Sequence, residues 1–505
     1  MTGSRTRWGR RHIGAALVLV VAVGCSGSLT VDRTDDDLGA SACFEGVPND
    51  CSLRGAILNA NRTSGPATIV VPAGTYPLTL AGPNEDSAES GDLDVTDDVT
   101  IQGVADSSGA RPTIGTDYYN LDRVFDVDPA RAHVSVVLTG LEILGALFIP
   151  TESEPLVDFP YGAAIANFGA DLTVDDTRIR PGLAAGGAGI YNEATLRLTD
   201  SVIGSTYVQR AMPSTFVAGA AIANGDPVSG AAGGAVTIER SRILGVATYR
   251  TGGGDAEVVE GGAIYNGAGG TMVMRESTID GSSIESWPWL FPLRCGPAIH
   301  GGAIANRGEL WIEASTLSHA SLRTPTQVGC ESRGGALFNA GGAALVNVTL
   351  SGNRATESGG AIHNVGTMAL AHVSVLDSVA GTGEPGDVAI AAAAGSLEVA
   401  SSLIANGCAG SAVISDGGNL ETPGDTCGFD QPTDLTGVAD PRVAPLADDG
   451  GPTWTHALLA ASPAIDLGIE AACLPTDQRG VARTDGACDT GAYEYVPGAR
   501  GGLSP

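Results

Sequence analysis

The chain has 505 residues, 43% of them hydrophobic but only 5% aromatic, with 72 glycines and 27 positive against 57 negative side chains, for a formal net charge of −30. Every fixed positive charge is Arg, because no Lys occurs; a phosphate-loop lysine and a lysine Schiff base are excluded. A chain this acidic repels phosphate, so nucleic acid and anionic membrane surfaces are poor partners and none is expected.

The first 24 residues read as an export signal. Arg5, Arg7, Arg10 and Arg11 form a basic start, and the apolar run from Ile13 to Gly24 is too short to span a bilayer. The run closes on AVGC, residues 22–25. This ending resembles the lipobox of bacterial lipoproteins, with Ala22 where the lipobox prefers Leu. The resemblance implies that Cys25 is lipidated and becomes the mature N-terminus; the alternative is an ordinary secretory signal that contains a cysteine. The expected location is the cell envelope, at the outer membrane or cell surface as a lipoprotein, or otherwise secretion. Membrane contact is expected only through the N-terminal lipid, and residues 25–42 read as a flexible linker.

Cysteine usage agrees with export. Of nine cysteines, Cys25 takes the lipid and eight remain. They fall into local pairs: Cys43 with Cys51, Cys295 with Cys330, Cys408 with Cys427 and Cys473 with Cys488. Each pair is expected as a disulfide in an oxidising compartment. Neither a CxxC nor a Cys/His cluster is present, so zinc is not expected.

CSLRGAILNAN, residues 51–61, places Leu53, Ile57 and Ala60 at helical spacing and predicts a capping helix within an N-terminal cap of residues 43–65. Strand-like alternation follows at 68–80, 92–104 and 123–144. From Gly162 one phrase then recurs seven times: GAAIAN, GAGIYN, GAAIAN, GGAIYN, GGAIAN, GGALFN and GGAIHN, starting at residues 162, 187, 219, 261, 301, 334 and 359. After each phrase come apolar or hydroxyl residues spaced two, three and two, as in Met272, Met274, Ser277 and Ile279. Spacing of two marks one face of a strand, and the step of three forces a bend. The phrase supplies another short strand whose Ile and Asn face the same way. Stacked on its copies, an inward Asn can form an amide ladder. The phrases are 25, 32, 42, 40, 33 and 25 residues apart, so about 25 residues make a bare coil and the excess is loop.

The predicted fold is all-β: a single-stranded right-handed parallel β-helix of about 11–12 coils over residues 66–435. The N-terminal helix caps it, a small C-terminal module occupies 436–496, and 497–505 form a tail. These motifs resemble the right-handed parallel β-helix repeats of bacterial surface proteins, of pectin lyase-like fold. CSLRGAILNAN followed by TIVVPAGTYPLTL resembles their Cys-Ser-Leu-Arg-Glu-Ala module, with Gly55 at the Glu position. GGPTWTHALLAASPAIDLG, DQRGVAR and CDTGAYEY, within 450–495, resemble the choice-of-anchor C-terminal module. The resemblance implies export and architecture, and it implies no one activity, because the fold hosts both enzymes and binding proteins.

Aligned in register, the outward columns read Asp175, Thr199, Glu239, Arg275, Glu313 and Asp176, Asp200, Arg240, Glu276. Alternating charge on adjacent coils predicts a solvated ion-pair ladder. The alternative is a polysaccharide lyase or hydrolase groove for acidic glycans, drawing on Asp175, Asp176, Asp200, Arg240 and Arg275; calcium is the one ion that this reading would call for, and otherwise no cofactor is expected. His363 and His372 are expected as surface fillers on the coils. Ligand-binding candidates are Trp287, Trp289 and Phe291 in a long mid-rod loop, with Trp311; these rings either stack on a sugar or a partner's side chain, or bury one another. The leading functional expectation is an exported adhesin-like protein, expected as a monomer, that binds a glycan or a surface protein. An enzyme and a structural surface spacer are the alternatives.

Overall fold

The computed structural model describes residues 28–497 except 64, 83–84, 117–121, 147–160, 185, 205–207, 211–215, 227–229, 252–257, 288–297, 324–330, 382–387, 411–412 and 484–486. Among the described residues, strands pair in parallel into sheets of 22, 11, 6 and 4 strands. The 11-stranded sheet runs from Leu93–Val95 to Cys408–Gly410 and takes one strand from each coil. The chain is thus a parallel β-helix, and 11 strands at ~4.8 Å spacing span roughly 50 Å.

The repeated phrase builds this sheet. Ile264, Ile304 and Leu337 stack in register inside the coil, as do Asn266, Asn306 and Asn339. The first Gly of the phrase turns the corner: Gly301 has φ +66°, and a Cβ there would lie 2.1 Å from the Ile304 carbonyl oxygen. Only glycine fits.

The Asn column is continuous from Asn167 through Asn192, Asn224, Asn266, Asn306, Asn339 and Asn364. Each side-chain amide donates to the carbonyl oxygen of the next at 2.7–2.8 Å. All seven are fully buried. The amides also close the turns: Asn306 Nδ2 donates to the Gly308 and Gly342 carbonyls at 3.1 and 3.0 Å.

The step of three in the sequence is a sharp bend within the long sheet. One residue at each bend takes the left-handed conformation: Asp176, Asp200, Arg240, Glu276, Ala314, Asn347, His372 and Ser401 have φ between +42° and +52°. That conformation costs an L-residue roughly 1–2 kcal/mol. Stacking offsets it, because the next residue in each coil is tied to the coil that follows. The backbone N–H of Thr177, Ser201, Ser241 and Ser277 donates to the hydroxyl of Ser201, Ser241, Ser277 and Ser315 in turn, at 3.0–3.2 Å. A hydroxyl ladder therefore lines the bend.

The expected cap is present. The helix Leu53–Arg62 is N-capped by Ser52, whose side chain accepts from the Gly55 N–H. Gly55 admits no larger residue, since a Cβ there would sit 1.9 Å from the Ala40 carbonyl oxygen. Arg54 is buried, pairs with Asp36 at 2.6 Å, and donates to the carbonyls of Ala88, Gly91 and Asp92. The expectation of a flexible linker over 25–42 is corrected for its described part. Ser28–Thr30 pairs in parallel with Thr68, Ile69 and Val70, and covers a strand edge that would otherwise be open.

The C-terminal segment folds back along the last coils. Gln478 of DQRGVAR donates to Thr316 Oγ1 at 2.9 Å and accepts from Thr349 Oγ1 at 2.7 Å. His456 Nε2 lies 2.9 Å from Ser351 Oγ, and the Ala492 N–H donates to Ser374 Oγ. An apolar cluster of Leu376, Leu403, Leu420, Leu458 and Tyr493 seals the contact.

Three of the four expected disulfides are present, joining Cys43 to Cys51, Cys408 to Cys427 and Cys473 to Cys488. The fourth, expected between Cys295 and Cys330, lies outside the described residues, which include neither Cys295 nor Cys330. No helix among the described residues is long and apolar enough to cross a membrane.

Asn306→Leu should destabilise the rod by about 1–3 kcal/mol for each buried partner left unpaired. Asn306→Asp should cost more, because the carboxylate would face three carbonyl oxygens with no donor to give. Thermal unfolding of the two variants checks both; an unchanged melting temperature would place Asn306 outside the core.

Candidate functional site

The charged columns lie where register places them. Arg240 pairs with Asp200 at 2.9 and 2.7 Å, and Arg275 with Glu313 at 3.2 Å and Glu239 at 3.7 Å. Asp175 accepts from Thr199 Oγ1 at 2.6 Å, and Asp176 pairs with Arg111 at 2.6 Å. The hydrogen bond from Arg240 holds the Asp200 carboxyl below its ordinary range. These pairs are exposed, and such pairs are worth about 0–1 kcal/mol each. The five residues form two neighbouring ladders rather than one convergent cluster.

His363 and His372, expected on the surface, are both buried. His372 occupies a bend, where the C-terminal segment covers it and the Ala472 carbonyl lies 3.1 Å from its Nε2. His363 stacks against Phe338, which in turn stacks at 4.2 Å on His300. Burial pushes His363 and His372 down to about 4. Beside His300, Glu260 is fully buried, with Arg307 at 2.6 and 2.5 Å and His300 Nδ1 at 3.0 Å. Burial opposes ionisation of Glu260, but the His300 and Arg307 bonds outweigh it and hold the carboxyl below its usual value. Glu260 and His300 are register partners on adjacent strands. The trio braces neighbouring coils.

Trp289 and Phe291 lie outside the described residues, and Trp287 is described only as the last residue of the strand Ser283–Trp287. Trp311 is described in full. It points outward from the strand Glu309–Ser318 and is 37% exposed. Its register neighbours are Val273 on one side and Ala344, then Ala369, on the other. With Thr271, Gly342, Glu309 and Thr367 it lines an open groove of about 380 Å³. The indole Nε1 donates to Glu313 Oε2 at 3.3 Å. The exposed aromatic face thus lies among small residues and is flanked by carboxylates. A second exposed aromatic belongs to the same region and was not singled out from sequence. Trp454 is 49% exposed, and its carbonyl accepts from Thr316 Oγ1, on the Trp311 strand, at 2.7 Å.

A different site lies at the N-terminal end. Asp94 and Asp126 are register partners on the adjacent parallel strands Leu93–Val95 and Phe125–Val127. They line, or lie beside, a cavity of about 290 Å³ whose walls include Glu85, Asp86, Asp92, Asp122 and Arg123. Asp92, Asp94, Asp122 and Asp126 are buried. Arg123 lies amid them, 2.7 Å from Asp126 Oδ2 and 3.7 Å from Asp92 Oδ2, while Arg131, which also lines the cavity, pairs with Glu193. The Oδ1 atoms of Asp92, Asp94 and Asp126 are buried and accept no hydrogen bond. Burial, reinforced by neighbouring carboxylates, raises Asp92 well above the carboxylate range and lifts Asp94 to about 8; burial lifts Asp126 to about 6 against the pull of Arg123. No family resemblance pointed here. A signal that could have found it is the D-x-D spacing of Asp92 with Asp94 and of Asp126 with Asp128, around the strands Leu93–Val95 and Phe125–Val127.

No protein-family model and no curated protein matches the chain. Among solved structures it is similar to ORF18 of Geobacillus virus E2, at 13% identity and a TM-score of 0.29, over 81% of this chain and 60% of that one. It is also similar to a rhamnogalacturonan lyase, at 12% identity and a TM-score of 0.30, over 78% of this chain and 87% of that one. Similarities of this size carry no argument about function, and the fold stands on the strand pairing itself.

The acidic cavity makes a pH prediction. Carboxyls whose folded-state pKa is raised bind extra protons in the folded chain, so their contribution to stability is fully present below about pH 4 and is lost as the pH rises through 6 to 8. Asp94→Asn keeps the acceptor for the Ala88 N–H and removes the charge. In ion-depleted buffer it should stabilise the chain at pH 8, by on the order of 2 kcal/mol, and leave it unchanged at pH 4. Melting curves at both pH values decide it; equal effects at the two would contradict the assignment.

Proposed function

We propose that this is an exported, non-catalytic β-helix protein, held at the cell envelope through a lipidated Cys25, whose sheet face binds a neutral saccharide. The observation that carries the reading is Trp311, a large ring left exposed on a flat sheet between Val273 and Ala344. Sugar rings stack on such faces, and Glu309 and Glu313 offer acceptors to hydroxyl groups beside it. The formal charge of −30 and these two carboxylates disfavour a polyuronate chain. An acidic-glycan lyase would require Arg240 or Arg275 to leave the carboxylates that engage them. The local disulfides fit an oxidising compartment. On this reading the N-terminal cap and the C-terminal segment are the CSLREA-like and choice-of-anchor-like modules that they resemble.

Two experiments test the reading. The purified mature chain is screened against neutral, acidic and basic oligosaccharides, with turnover followed in parallel. Neutral glycans should bind without turnover, and Trp311→Ala should lose about 1–3 kcal/mol of affinity at an unchanged melting temperature. Cleavage of an acidic glycan, or full binding by the variant, would contradict the proposal. Mass spectrometry of the mature N-terminus should find a lipid on Cys25, and Cys25→Ala should release the folded protein from the envelope; an unmodified N-terminus downstream of Cys25 would rule the anchor out.

A further inference from the structure

We propose that Asp86, Asp94 and Asp126 are the protein ligands of a calcium ion at the N-terminal end of the rod. One carboxylate oxygen from each lies within 4.8 Å of the other two. Calcium bonds oxygen at 2.3–2.6 Å, and a point between three oxygens at that spacing lies at most about 2.8 Å from each, so a small side-chain adjustment brings all three to one ion. The three ligands come from different parts of the fold: Asp86 from the loop before the strand Leu93–Val95, Asp94 from that strand, and Asp126 from its neighbour one coil on. An ion there would tie two coils and a loop together.

The buried atoms call for a cation. Asp94 and Asp126 stand directly opposite on paired strands, where like charges repel. Asp94 is fully buried; its Oδ2 accepts from the Ala88 N–H at 2.6 Å while its Oδ1 accepts nothing. Asp92, in the cavity wall, is 2% exposed, and its Oδ1 likewise accepts nothing. Arg123 donates to Asp126 Oδ2 and lies 3.7 Å from Asp92 and 3.9 Å from Asp122, a single positive charge shared among four buried carboxylates. A buried carboxylate left in this state is costly unless a metal or a cation completes it.

The chemistry of the donors selects the ion. All are carboxylate oxygens, which suit a hard cation and not zinc, with its preference for nitrogen and sulfur. The flexible coordination of calcium accommodates carboxylates drawn from two strands and a loop, whereas magnesium demands a near-ideal octahedron. The loop is held for this role. Buried Arg54 fixes the carbonyls of Ala88, Gly91 and Asp92, and the Glu85 carboxylate accepts from the Ser87 and Ser90 N–H groups. The site is separate from the Trp311 platform and does not depend on the saccharide reading.

The test uses the whole mature chain, stripped with chelator and then titrated with calcium chloride by calorimetry and by thermal melting. A single site with Kd on the order of 10⁻⁴ M or tighter is expected, with a melting temperature that rises with calcium. Asp94→Asn and Asp126→Asn should fold and lose the calcium response. Asp86→Asn, at an exposed position, should leave the calcium-free melting temperature unchanged and weaken binding about tenfold or more, a loss of about 1.4 kcal/mol. The proposal is overturned if millimolar calcium gives neither heat nor a shift, if Asp86→Asn and Asp94→Asn respond as the parent does, or if magnesium acts equally at the same concentration.

Discussion

A primary amide carries two donors and a carbonyl with two lone pairs, and inside a β-helix coil it has to satisfy them without water. Here each column Asn before the last, Asn364, gives one donor to the next amide and the other to turn carbonyls. A one-residue slip of any coil would throw its Asn to the outside and leave unpaired groups on both sides. The ladder therefore fixes register coil by coil. The other periodic features, the glycine corner, the left-handed bend and the hydroxyl ladder, follow from coils that are already aligned. It also explains how loops of different length are tolerated: they leave between columns and do not disturb the stack.

The sequence made the repeating part legible because its periodicities are local. The two-three-two spacing placed the bend, and the left-handed residues lie where the step of three demanded one. The column Asn266, Asn306, Asn339 followed from the phrase alone. What stayed hidden is non-local. Nothing near Gln478 says that it bridges Thr316 and Thr349 on the side of the rod, so the fold-back of the C-terminal segment was not foreseen. Ser28–Thr30 is too short to show a period, and only the open strand edge beside it explains its pairing. His363 and His372 were read as surface fillers on the coils; the stack on Phe338 and the C-terminal segment bury them.

The candidate sites divide in the same way. The alternating charges at Asp200, Arg240, Arg275 and Glu313 were legible as ladders, and they pair as ladders. Trp311 was singled out from sequence as an aromatic that could stack on a ligand, and it is exposed. The acidic cavity was not, since Asp86 and Asp126 are 40 positions apart and read as loop and strand. Aligning LDV at 93–95 with FDV at 125–127 would have brought Asp94 against Asp126, but these opening coils lack the Gly-Asn phrase that set the register elsewhere. A stack that meets its own backbone needs is free to vary its outer face, and here that face carries an aromatic platform mid-rod and a carboxylate cluster at one end.

The central claim is that the amides act as a connected column and not as separate turn braces. A double-mutant cycle measures this directly. Asn266→Ser and Asn306→Ser, made singly and together, should show a coupling energy of about 0.5–3 kcal/mol in equilibrium unfolding, whereas Asn192→Ser with Asn339→Ser, which are not neighbours in the column, should be additive within about 0.5 kcal/mol. Additivity for the neighbouring pair would mean that each Asn serves only its own turn, and would contradict the account.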